Sequence, residues 1–343
     1  MLNTTARPAL QDRYALGEAI GHGVAASLYR GTDVRNGEAV VVKRYDHRLR
    51  RDLDFVVNFR RSARQARALR SPYVLKLLAY GYADEGYYTV SPYIDGGNLG
   101  QYISEPKGRN GRSGRSGRSG RSGRSGRGDN VLRGALEILT QACLGLDYIH
   151  GAGLLHLNLK PANILLRTDG DALLADIALT RRPYGALAGA GDDATPIAYL
   201  SPEQVAGDEL SPASDIYALG VMLYQVCTGR LPVATSDLVT LAQGHMRAEP
   251  PSPRTLNPRI NAALEAVVLR CLATEPTRRY TGANSLAAAL AECQASLGQE
   301  LTETGKAADV PPGARRGPLR TPLHGLVRRV RGTAAAPRRG AAS

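Results

Sequence analysis

The strongest constraint on the fold is a change of hydrophobic period along the chain. Tyr14 to Lys43 reads as strands around a glycine turn: Tyr-Ala-Leu-Gly-Glu-Ala-Ile, Gly-His-Gly, Ser-Leu-Tyr-Arg-Gly, then Ala-Val-Val-Val-Lys. The β-branched run Val40–Val42 predicts a buried strand. Phe55 to Leu69, rich in Arg, Ala and Gln, predicts one helix. Ser71-Pro72 ends it, because the residue before a proline is pushed out of the helical region. Tyr73–Leu78 and Tyr87–Val90 predict two further strands. From Val131 the period lengthens. Leu132, Ala135, Leu136, Leu139, Ala142, Cys143, Leu146 and Ile149 recur at helical spacing. Further helices are expected at about 215–228, 260–273 and 283–298. A strand-rich small lobe followed by a helical large one is an α+β chain.

Charge divides the chain differently. The formal net charge is +13, but residues 104–130 carry eight basic and two acidic side chains and residues 301–343 carry nine and two. The remainder holds 27 of each sign. The basic balance therefore belongs to two appendages, and an anionic partner is to be sought there. The first contains a Gly-Arg-Ser repeat over 108–128, whose repelling charges and lack of apolar side chains predict disorder. It offers no aromatic residue for stacking on RNA bases. In the second, Leu323, Leu326, Val327 and Val330 share a helical face beside Arg328, Arg329 and Arg331. A basic amphipathic helix there, within 315–339, would suit an anionic membrane, although Gly325 and nearby prolines weaken it. Cys143, Cys227, Cys271 and Cys293 form no Cys-x-x-Cys pair, which argues against a disulfide or zinc framework and for a reducing cytoplasm. No apolar run follows Met1 and none reaches 18 residues, so neither a secretory signal nor a membrane span is expected.

The chemistry-bearing stretch is His156-Leu157-Asn158-Leu159-Lys160-Pro161-Ala162-Asn163. It resembles the catalytic loop of protein kinases, His-Arg-Asp-x-Lys-Pro-x-Asn, with Asn158 at the Asp and Leu157 at the Arg. Other motifs follow in family order, so that residues 12–296 resemble a bacterial-type Ser/Thr protein kinase domain. The resemblance implies a two-lobed fold, with an N-lobe over about 12–91 and a C-lobe over about 92–296 that carries the insertion 104–130. Residues 1–11 would be an extension and 297–343 a basic disordered tail. It also assigns roles. Gly21 and Gly23 would cover the ATP phosphates, with Ala26 at the third glycine position. Lys43 would contact the α- and β-phosphates. The hinge would present the Pro92 carbonyl and the Ile94 N–H to adenine, behind a Ser91 gatekeeper. Asn163 and Asp176, in Leu-Ala-Asp-Ile-Ala, would hold Mg²⁺, and Lys160 would sit near the transferred phosphate. Glu203 and Arg279 would form the family's buried ion pair.

The departures from the family pattern fall in the active site. Asn158 is a neutral amide and cannot accept the substrate's hydroxyl proton. The helix glutamate that pairs with the strand lysine falls on Ser62, and no Glu occurs from Phe55 to Arg70, so Lys43 is expected to lack its partner. The Gly of Asp-Phe-Gly is Ala178, and the activation-segment Thr is Pro196. The expected function is that of a pseudokinase that binds ATP and Mg²⁺, transfers little or no phosphate, and regulates or scaffolds a protein partner. Two alternatives stand beside it: an ATP-dependent Ser/Thr protein kinase with an atypical site, and a polyanion-binding adaptor acting through 108–128 or 315–339. The expected location is cytoplasmic, with peripheral membrane contact through the tail as a variant.

Overall fold

The computed structural model describes residues 9–104 (apart from 11, 24 and 85), 123–177, 198–233, 240, 244 and 250–306. The Arg-Gly-Ser tract up to residue 122, Ala178, Pro196 and the tail from 307 lie outside the described residues.

An antiparallel six-stranded sheet builds the first lobe, in the order β1-β2-β3-β4-β6-β5. Its strands are β1 (Ala9–Leu10), β2 (Tyr14–His22), β3 (Ala26–Asp33), β4 (Ala39–Tyr45), β5 (Ala79–Ala83) and β6 (Gly86–Pro92). The two-residue period of β4 sorts its side chains onto opposite faces. Val40 and Val42 pack with Leu10, Tyr14, Tyr88 and Val90 on one side. Tyr45 packs with Phe55, Phe59 and Tyr87 on the other, and Lys43 shares that face. The helix α1 (Leu53–Ala68) supplies both phenylalanines, and its N-terminus is capped by Asp52, which accepts from the Phe55 N–H. The Phe59 ring lies 5.3 Å from Tyr45 and 4.9 Å from Tyr87. In a chain without Trp, this aromatic cluster fixes α1 against the sheet.

One expected strand is displaced. Tyr73–Leu78 is not a sheet strand; the sheet takes up Ala79–Ala83 instead. The earlier segment crosses to the second lobe. The Leu75 N–H donates to Leu174 O and the Leu174 N–H to Tyr73 O. Val74 and Leu77, three residues apart, bury into different clusters, so the run serves two lobes rather than one pleated face.

The second lobe is helical: α2 (Leu99–Ser104), α3 (Gly123–Gly151), α4 (Pro202–Ala206), α5 (Pro212–Thr228), α6 (Pro253–Leu256), α7 (Ala262–Cys271) and α8 (Ala283–Lys306). The hairpin β7 (Ile164–Leu166) and β8 (Ala172–Leu174) lies against α3. The first long helix begins eight residues before Val131, since extending a nucleated helix adds one bond per residue fixed. The last continues past residue 298 to Lys306. Leu136, Leu139, Cys143, Leu146 and Ile149 of α3 form the core with Ile216, Leu219, Val221 and Leu223 of α5. Gly220 lets α5 approach α7, because a Cβ there would meet that of Cys271 at 2.6 Å. All four cysteines are buried and free. Among the described residues, no helix is long and apolar enough to cross a membrane.

Two buried carboxylates pin this lobe. Glu203 takes a fork from Arg279 at 2.7 and 2.9 Å and a hydroxyl bond from Ser214 at 2.7 Å. The other guanidinium N–H groups donate to the carbonyls of Ala213, Ala273 and Thr274, so all five donors are used. Burial alone would raise the Glu203 pKa, but Arg279 and Ser214 outweigh it and hold the group below the usual carboxylate range. Removing one member of a buried pair strands the other charge. Arg279→Leu is therefore expected to cost about 3–5 kcal/mol in urea unfolding; a loss under about 1 kcal/mol, the scale of an exposed pair, would contradict this role.

Candidate functional site

The second pinned carboxylate, Asp215 near the start of α5, shapes the catalytic loop. It accepts the backbone N–H of His156 (2.8 Å) and Leu157 (2.7 Å) and faces His150 Nε2 at 2.8 Å. Leu157 adopts φ +56°, a left-handed conformation unfavourable for a branched residue. It is held there by Asp215 on its N–H and by Gln204 Nε2 on its carbonyl at 3.2 Å. His156 is fully buried, and burial pushes its imidazole pKa below the ordinary value, keeping the ring neutral.

The loop then turns into the short 3₁₀ segment Pro161–Asn163 and the β7–β8 hairpin. The Ala175 N–H donates to Asn163 O, which closes the hairpin and brings Asp176 back beside the loop. Asn163 Nδ2 donates to Asn158 O at 2.6 Å, and Asn158 Nδ2 donates to Asp176 Oδ2 at 2.8 Å. Lys43 Nζ reaches across from β4 and meets Asp176 Oδ1 at 2.5 Å. Asp176 itself sits at φ +63°. Lys43, Asn158, Asn163 and Asp176 thus form one bonded chain across the two lobes.

The expectation that Lys43 lacks a partner is corrected by this geometry. Its partner is Asp176 rather than a residue of α1, whose buried face is Phe55, Phe59, Ala63 and Ala66. Burial would lower the Lys43 pKa, but Asp176 and Tyr45 outweigh it and hold the ammonium above the ordinary lysine range. Burial would likewise raise Asp176, and Lys43 outweighs that to hold it below the usual carboxylate range. Both groups stay ionised at neutral pH. Tyr45 was missed by motif reading. Its ring centroid lies 5.2 Å from Lys43 Nζ, and burial pushes its own pKa up to about 12. The two-residue spacing from Lys43 on a strand was the available signal.

The remaining predicted residues surround this chain. Gly21 pairs with Leu28, which pairs with Lys43, so three strands bring the glycine turn level with the lysine. The Gly23 N–H donates to Ala26 O at 2.9 Å and closes that turn. Lys160 is half-buried on the catalytic loop, and its charge adds to that of Lys43 at Asp176. Pro92 is the last residue of β6, opposite Val40, and Ile94 follows just beyond the ladder. Gly96 packs under β7 so closely that a Cβ would run into the Leu166 carbonyl. Asp176 and the Asn163 side-chain oxygen are hard donors that fit Mg²⁺, which keeps waters or phosphate oxygens at its other positions. Among the described residues no cluster of three or more acidic, His or Cys ligands competes as a metal site.

Comparison with known proteins agrees with this geometry. The chain is 32% identical over 292 residues to the serine/threonine-protein kinase PknB of Mycobacterium tuberculosis, covering 82% of this chain and 43% of PknB. It is 29% identical over 282 residues to PrkC of Bacillus subtilis, covering 81% of this chain and 40% of PrkC. It therefore spans less than half the length of these curated relatives. Among solved structures, the M. tuberculosis PknI kinase domain superposes with TM-score 0.61 at 23% identity, covering 82% of this chain and 96% of that one. Rad53 in complex with AMP-PNP gives TM-score 0.59 at 24% identity, covering 80% and 64%. Residues 14–291 match the protein kinase domain, and with the two lobes and the catalytic-loop geometry this establishes that the chain belongs to the protein kinase family, with bacterial Ser/Thr kinases among its relatives.

Proposed function

We propose that this chain is a nucleotide-binding pseudokinase that responds to ATP rather than transferring its γ-phosphate to a substrate. The carrying observation is the hydrogen bond from Asn158 Nδ2 to Asp176. An oxygen in that place would set two acceptors 2.8 Å apart, so the nitrogen must face the carboxylate. At the position where the family keeps its proton acceptor, this side chain is a donor. Loss of a general base costs about 10²–10⁴ in rate. Phosphoryl transfer depends mostly on positioning, and α1 gives Lys43 no ionic anchor.

Retention of Lys43, Asn163 and Asp176 supports nucleotide binding, as does the likeness to a fold solved with AMP-PNP. ATP would lie under the glycine turn, with Pro92 and Ile94 at the adenine and Lys43 and Lys160 at the phosphates. Mg²⁺, where bound, would rest on Asp176 and Asn163 and offset phosphate charge. Lys43 cannot serve Asp176 and the phosphates equally, so nucleotide would shift the balance across the lobes, and a protein partner would read that shift. The same retained residues favour the second reading, an active Ser/Thr protein kinase with an atypical site.

Intact-protein mass after incubation with Mg–ATP, and radiolabel transfer to a generic basic protein, decide between them. No transfer above the level of Asp176→Ala is expected; transfer by wild type that Asp176→Ala abolishes would establish the active kinase. Asn158→Asp alone is expected to stay well below the ordinary kinase turnover of about 1–100 s⁻¹, because α1 still offers Lys43 no anchor. Turnover in that range from the single change, measured by ADP release, would show that Asn158 was the only defect.

A further inference from the structure

The outer face of α1 is apolar at one end and basic at the other. Leu53 and Val57 stand one turn apart at its start, 78% and 64% exposed, the most exposed large apolar side chains among the described residues. A single exposed apolar residue is ordinary, but two neighbours on one helix face form a patch. The same face continues into Arg60, Arg61 and Arg64, all exposed. In all, α1 holds four arginines and one acid, Asp54, in its first turn. The helix dipole favours cations only within the last turn, which accounts for Arg67 and not for the other three. Arg60 and Arg64 are like charges at i and i+4, an arrangement that costs an isolated helix stability. Arg61 bonds the neutral Asn58 at 3.2 Å, and among the described residues no carboxylate pairs with Arg60, Arg61 or Arg64. Rotation of the helix cannot cover this face, because Phe55, Phe59, Ala63 and Ala66 hold the opposite side in the aromatic cluster under the sheet.

We propose that the outer face of α1 is a docking surface for an acidic helical segment of a partner protein. From Leu53 to Arg64 the face runs about 17 Å, at 1.5 Å per residue. A helix laid alongside it would set two apolar residues, one turn apart, on Leu53 and Val57, and carboxylates at the following turns on Arg60, Arg61 and Arg64. Guanidinium groups take carboxylates two bonds at a time, which fixes the register of such a helix. An anionic membrane is a poorer match, since it calls for an apolar stripe along the whole helix with cations on its flanks. A nucleic acid finds no exposed aromatic residue on this face to stack its bases. The inference goes beyond nucleotide binding and holds whether or not the chain transfers phosphate.

The test is fluorescence anisotropy of the full chain with a labelled helical peptide that carries two leucines one turn apart at one end of a face and glutamates at the other. A scrambled peptide of the same composition measures attraction to basic charge in general. Wild type is expected to bind the ordered peptide about tenfold or more tighter than the scrambled one. Two variants change only exposed residues, Leu53→Ser with Val57→Ser and Arg60→Glu with Arg64→Glu, and each is expected to abolish that preference. Arg115→Glu with Arg118→Glu, the same charge change placed in the Gly-Arg-Ser repeat, is expected to keep it. Equal binding of both peptides by wild type, no binding of either, or a preference that survives in both α1 variants would overturn the proposal. So would binding of phosphatidylserine vesicles or polyuridylate, in place of the peptide, that the α1 variants abolish, since the face would then have another occupant.

Discussion

The carboxylate of Asp176 is the point on which both lobes converge. Lys43 reaches it from the sheet, Asn158 from the catalytic loop, and Asn163 steadies Asn158 from behind. Each contact depends on distant structure. Lys43 is aimed by the pleat of β4 and the Tyr45 ring, and the loop is held by Asp215 in α5. Opposite charge and hydrogen-bond donors offset what partial burial costs this ionised carboxylate. The arrangement gives both oxygens of Asp176 a partner within the chain.

Much of this was legible in the residue order. The Val40–Val42 run, the α3 periodicity and the Glu203–Arg279 pair all appear where motif and period placed them. Ordered motifs are legible because each needs a particular residue type at a fixed spacing. The Tyr73–Leu78 segment was misread because β-branched and aromatic character signals a half-buried extended chain without saying which neighbour it pairs with. Its partner is Leu174, a hundred residues away in sequence.

The fate of Lys43 was hidden for a related reason. The absence of a Glu in α1 was plain, but a missing partner in sequence does not make an unpaired charge in space. A half-buried ammonium finds the nearest anion the fold supplies, and here that is Asp176. The same pairing gives Asn158 its meaning. Read alone, the substitution removes a base; read beside Asp176, it adds a donor where a carboxylate would repel. A side chain that takes up no proton and a donor for Asp176 are the same residue.

The most direct test of that claim is a double-mutant cycle on stability between Asn158→Ala and Asp176→Ala, measured by urea unfolding without nucleotide or metal. A hydrogen bond to a charged, half-buried carboxylate predicts a coupling energy of about 1.5–3 kcal/mol. Additivity of the two changes within about 0.5 kcal/mol would mean that the two side chains do not depend on each other, and the account of the site would fail.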